Sequence, residues 1–179
     1  SDPGSPTAGQ IYFNTSTNKT MVFDGTNFVE LGSGGSGAAA FEVNRNGVAQ
    51  TIGSTGHTPV DWTTKLHDTT SDFNLTTDEY VPSESGHYYV HCQLTQNTIA
   101  DGGLAQITIR RNGTIIGNGI SMQSNGVAQS VITNASAIVE MNGTTDKLEC
   151  YLGANVTQDL DGAVYNTKFL GFKVAASGG

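Results

Sequence analysis

Four Asn-Gly dipeptides, at 46–47, 112–113, 125–126 and 142–143, stand between runs in which apolar and polar residues alternate. The dipeptide suits the two-residue turn that joins antiparallel strands, because both central residues of that turn need positive φ and Asn and Gly tolerate it best. A fifth break, Ser85-Gly86, has the same character. These breaks leave candidate strands at 40–44, 58–65, 73–80, 87–95, 105–111, 114–120, 127–141, 147–152 and 164–174, and no 3.6-residue period persists long enough for a helix. About nine strands in roughly 135 residues predict an all-β fold, a two-sheet sandwich or jelly roll. The sparse charge (13% of residues) and the many Gly, Asn, Thr and Ser agree with short strands and tight turns. A formal net charge of −8 gives nucleic acid or anionic lipid no basic surface to meet.

The stretch GHYYVHCQL at 86–94 sharpens the reading. Side chains alternate across a strand, so Tyr88, Val90, Cys92 and Leu94 form an ordinary core face, and Tyr89, His91 and Gln93 point the other way. That second face should be wet, yet it carries a tyrosine and a histidine in a strongly β-prone run. Something half-polar is expected to cover it. The two cysteines, Cys92 and Cys150, each lie among apolar neighbours and should face the core. A disulfide framework usually has more cysteines and a smaller domain, so reduced core thiols are the expectation, and no zinc-type spacing surrounds either one.

The first 32 residues read as a separate unit of three short strands, at 11–14, 20–23 and 27–31, with Asp24-Gly25 as a hairpin turn. About thirty residues cannot bury enough apolar surface alone. Tyr12, Phe13, Met21, Phe23 and Phe28 therefore need another surface, most simply copies of the same hairpin in other chains. "GSGGSG" at 32–37 is a flexible linker by composition. The organisation expected is a β-hairpin unit at 1–32, a linker at 33–37, a β domain at 38–175 and a tail at 176–179.

From 41 to 174 the sequence resembles the C1q/TNF-like domain. The resemblance rests on ordered pieces: "AFEV" (40–43), "PVDW" (59–62), "DFNLTTDEYVPSESGHYYVHCQL" (72–94), "ITIRRNGTIIG" (107–117), "TDKLECYL" (145–152) and "KFLGFKV" (168–174). Thr145-Asp146 stands where the family usually has Gly-Asp, and Lys173 where an apolar residue is common. The resemblance implies a ten-stranded jelly roll that assembles as a homotrimer, with one sheet facing the threefold axis. "SPTAGQIYFNTSTNKTMVFDGTNFVEL" is similar to the short repeats of phage tail fibres. Together the two resemblances imply a virion module at the tip of a bacteriophage fibre, with no enzymatic activity.

On this reading sister chains cover the second face of GHYYVHCQL. Tyr89, His91, Glu149, Tyr151, Phe169 and Lys173 are the expected trimer interface, with Glu149 and Lys173 paired. Leu148, Cys150, Leu152, Leu170, Phe172 and Val174 would then face the core. Three copies of His91 around an axis have the donor type for a metal or anion, but packing is the expectation. No Gly-X-Ser-X-Gly elbow or metal-binding His motif suggests catalysis. The expected receptor loops carry Asp101, Met122, Gln123, Asn125, Asn155, Gln158, Asp159 and Asp161. Calcium at Asp101, Asp159 and Asp161 is conceivable from the family, but solvated turn residues are the better reading, and no cofactor is expected. The partner would be a glycan or protein on the host surface. The alternatives are a structural cap that only registers the fibre and, less favoured, a secreted bacterial or animal binding protein of this fold.

Overall fold

The computed structural model describes residues 3–30, 39–122 and 126–175, and the chain divides into two compact units, Ser1–Gly37 and Ala38–Gly179. The expected linker at 33–37 and tail at 176–179 lie outside the described residues.

In the first unit β1 (Ile11–Asn14), β2 (Lys19–Phe23) and β3 (Phe28–Glu30) form an antiparallel sheet in chain order. The hairpin at Asp24-Gly25 forms because the Asp24 carboxylate accepts the N–H groups of Thr26 and Asn27, both at 2.8 Å, while Gly25 takes φ +104°. Those two bonds, Asn27 first, hold the Asp24 carboxyl below the usual carboxylate range. Phe28 packs against Tyr12 at 4.9 Å and Phe23 at 5.1 Å between ring centroids. Ile11 and Phe13, which alternate with Tyr12, stay more than half exposed, and Val29 is 41% exposed.

The second unit is a sandwich of two sheets. One has the order β5-β15-β10-β16-β4-β7, and β13 also pairs with β10. Its members are β4 (Ala40–Asn44), β5 (Gln50–Ile52), β7 (Thr64–Asp68), β10 (Ser85–Ile99), β13 (Gln129–Asn142), β15 (Gln158–Leu160) and β16 (Lys168–Ala175). The other has the order β12-β11-β14-β9-β8, and β6 also pairs with β14. It comprises β6 (His57–Pro59), β8 (Phe73–Asn74), β9 (Glu79–Tyr80), β11 (Leu104–Arg111), β12 (Thr114–Met122) and β14 (Leu148–Ala154).

Two of the expected strands are broken. The run at 58–65 divides into β6 and β7 because the chain crosses between sheets there, turning Val60 and Trp62 into the core. The run at 73–80 divides around a turn in which Asp78 takes φ +57°. The three-residue β5 and β15 are too short to leave a periodic signature and were not anticipated.

Ala40 lies opposite Phe172, and Asn44 opposite Lys168. The domain therefore begins and ends at the same end of the sandwich. The strands run alternately up and down, which gathers the connections at 45–49, 100–103, 155–157 and 161–167 at the opposite end. Between the sheets, Phe169 is the centre of an aromatic cluster. It meets Phe41 at 4.9 Å, Trp62 at 6.0 Å and Phe73 at 6.4 Å, and Phe41 stacks on Tyr80 at 4.1 Å.

Cys92 and Cys150 do face the core, but they are joined as a disulfide rather than held as reduced thiols. The sequence identifies the inward face of each strand. Only the stacking of β10 over β14 puts the two sulfurs together, across the sandwich. Where the sheets close along one side, β12 lies against β13. A Cβ on Gly119 would fall 1.8 Å from the Asn134 carbonyl oxygen, and one on Gly117 3.1 Å from that of Ser136. Glycine is required by that close approach.

Candidate interaction face

The outer face of the first sheet is built from cross-strand rows, since residues paired in register point to the same side. One row runs Ala40, Phe172, Tyr89, Ile138 across β4, β16, β10 and β13. The next runs His67, Glu42, Leu170, His91, Ser136. Tyr89 and Phe172 pack ring on ring at 5.4 Å, yet Phe172 remains 43% exposed and Ile138 68%. A continuous apolar strip of this kind makes the sheet face a candidate interaction surface. Burial, and then Lys168, lower the His91 pKa below the ordinary imidazole value.

The six residues expected on one face do not share it. Tyr89 and His91 lie on this strip. Phe169 does not: it has no exposure and sits at the centre of the core. The phase of β16 is the reverse of the expectation. Phe169 and Gly171 turn inward, while Leu170 and Phe172 turn outward, and Val174 is 46% exposed. The reason is Gly171, where a Cβ would come within 2.7 Å of the Phe41 ring and 2.9 Å of Val90. A glycine inside a strand signals such an approach, and "FLGF" carried that signal.

Glu149 and Tyr151 belong to β14, in the other sheet. There the Arg110 guanidinium lies 4.0 Å over the Tyr151 ring, and the Tyr151 hydroxyl donates to Glu149 at 3.0 Å. Burial, then Glu149, raise the Tyr151 pKa. Lys147 pairs with Glu79 and reaches Glu149 at 3.9 Å. The expected Glu149–Lys173 pair is thus not formed within the chain. Lys173 instead pairs with Glu84 at 2.8 Å, next to a bulge in the β10–β16 register.

The polar side chains expected in the receptor loops mostly tie neighbouring segments together. Asp101 accepts the Gly126 N–H at 3.0 Å, and Asn155 accepts the Leu104 N–H at 2.6 Å while donating to the Gly102 carbonyl. Asp159 accepts from Thr51 at 2.7 Å, and Asp161 accepts from Ala163 N–H and Asn166. Gln158 is buried, with neither amide atom hydrogen-bonded, and so is no receptor-contact residue. Met122 ends β12, and Gln123 and Asn125 lie outside the described residues. Tyr165, 86% exposed, is the loop aromatic that the sequence reading passed over. No group of three or more His, Cys, Asp or Glu placed to hold a metal, and no pocket, occurs among the described residues.

No protein-family model and no curated protein matches the sequence. Solved structures do match. The globular domain of a zebrafish complement 1qA protein aligns with a TM-score of 0.57 at 18% identity, over 78% of this chain and 99% of that one. Murine APRIL at pH 5.0 gives 0.58 at 13% identity, over 76% and 99%. The Eiger TNF from S. frugiperda gives 0.58 at 17% identity, over 79% and 94%. The fold is a C1q/TNF-like jelly roll. At these identities the likeness establishes the architecture of the second unit. Within that jelly roll the apolar strip lies on the sheet formed by the first strand, the last strand, and the long β10 and β13.

Proposed function

We propose that this chain is a non-enzymatic binding module that works as a homotrimer, set at the distal tip of a bacteriophage tail fibre, with its ligand on the host surface. The observation that carries the assembly is the exposed apolar strip of Tyr89, Phe172, Leu170 and Ile138. Three copies closed around an axis would cover it, since a closed ring leaves no such face open. The fibre-type N-terminal sequence supports the virion setting. The start and finish of the jelly roll at one end leave the loops at 100–103, 155–157 and 161–167 free to meet a receptor. The apolar residues of the first unit, Ile11, Phe13 and Val29, would pack against their own copies.

A purely structural cap is the second reading, favoured by one observation: the side chains of Asp101, Asn155, Asp159 and Asp161 are engaged in hydrogen bonds that hold the loops and strands at this end in place. One experiment separates the two. The fluorescently labelled protein, sized by sedimentation, is incubated with a panel of bacterial cells and isolated surface glycans. Saturable binding by a trimer supports the receptor reading, a trimer that binds none of them supports the cap, and a stable monomer at micromolar concentration refutes both.

A further inference from the structure

We propose that His91 makes the association of copies through the Tyr89–Phe172 face sensitive to acid, so that the assembly opens in mildly acidic solution. This rests on the reading of that face as an interface between copies. Three of the four histidines, His67, His87 and His91, stand on the outer side of the first sheet by register. They differ in what faces them. His67 on β7 lies directly opposite Glu42 of β4. His87 lies opposite Glu140 of β13 and Ala175 of β16. Each of these two thus stands beside a carboxylate. His91 lies between Ser136 of β13 and Leu170 of β16, and the charged group acting on it is Lys168, one row further along β16. Glu42 stands beyond Leu170, and on its own strand His91 has only Tyr89 and Gln93 as same-face neighbours. A proton on His91 therefore adds a cation beside a lysine, next to the apolar row of Phe172, Tyr89 and Ile138.

The sign follows from burial. A second copy removes water from His91 and disfavours its charged form, so the pKa is lower in the assembly than in the separated chain. Association is then at full strength above the separated-chain value, which burial and Lys168 already hold below the ordinary imidazole range, and is lost as pH falls through the interval between the two values. An unperturbed imidazole sets the ceiling: at pH 5 the loss is at most about 30-fold per histidine, on the order of 10⁴ in the association constant for three copies.

The test is sedimentation velocity of the whole chain at pH 7.5, 6.0 and 5.0, for the parent, His91→Gln and His87→Gln, with circular dichroism to follow the β fold. The expected result is a parent and a His87→Gln variant that are trimeric at pH 7.5 and smaller, but folded, at pH 5.0, while His91→Gln stays trimeric throughout. His91→Leu carries the same comparison if the glutamine variant fails to assemble. A parent that remains trimeric at pH 5.0, or a His91 variant that dissociates along the parent curve, overturns the switch and leaves the interface standing. A parent that is monomeric at pH 7.5 removes the interface itself, and the switch with it.

Discussion

Reduction of the Cys92–Cys150 disulfide should cost the jelly roll a large part of its stability. The bond joins β10 to β14 across the core and closes a loop of 58 residues. Loop-closure entropy for that length gives about 4 kcal/mol of destabilisation of the unfolded chain, before any native strain. A domain of this size is stable by only about 5–15 kcal/mol, so the loss amounts to between roughly a quarter and four fifths of it. With a urea m-value of roughly 2 kcal/mol per molar, the unfolding midpoint should fall by about 2 M. Both sulfurs are buried, so reductant should act only as the domain opens, and the native protein should resist mild reductant for as long as it stays folded. The assay is urea unfolding followed by fluorescence, with and without prior reduction in denaturant, beside a Cys92→Ala/Cys150→Ala variant. A thiol count on the denatured, unreduced chain completes it. The expected count is zero, rising to two after reduction. Two free thiols in protein prepared under oxidising conditions, or an unchanged midpoint after reduction, would refute the cross-sheet staple and restore the simpler picture of two core thiols.

Tyr89→Asp should leave the jelly roll folded as a single chain but abolish the trimer, because closing the ring would bury three carboxylates near the axis. Sedimentation alongside circular dichroism reads both effects. Gly119→Ala should lower stability by several kcal/mol, since the added methyl collides with the Asn134 carbonyl and must push β12 away from β13. Thermal unfolding checks it, and a variant as stable as the parent would mean that the two edges lie further apart. Arg45→Met should cost about 3 kcal/mol, because the buried guanidinium donates to the carbonyls of Val48, Ala49 and Asp61, which would lose their partner. Asp78→Asn should stabilise by up to about 1 kcal/mol at pH 7. Burial, the largest cause, raises the Asp78 pKa in the folded chain, so its charged form is the disfavoured one there. That penalty is absent at pH 3, where the carboxyl is protonated folded or unfolded, and grows as pH rises through the raised value. The advantage of asparagine in urea unfolding should therefore vanish in acid.

How much of this was written in the chain depends on the scale of the question. The Asn-Gly turns and alternating runs specified the long strands β10, β11, β12 and β13, because tight-turn chemistry and period-two burial act within a few residues. They also specified which side of β10 enters the core, and Tyr88, Val90, Cys92 and Leu94 are all buried as read. What alternation could not specify is which sheet a strand joins. Tyr151 and Tyr89 both stand on the outward side of an inward-facing strand, yet β14 and β10 lie in opposite layers, so the two tyrosines point away from each other. Nor could it specify the phase of β16, where each alternating set carries both a phenylalanine and a lysine. That phase was decided by Phe41 and Val90 pressing on Gly171, contacts from strands far away in sequence. The disulfide has the same origin. Each cysteine is legible as a core residue from its neighbours, but their meeting is a property of the stacked sheets, because a bond across the core depends on distances that no local pattern carries.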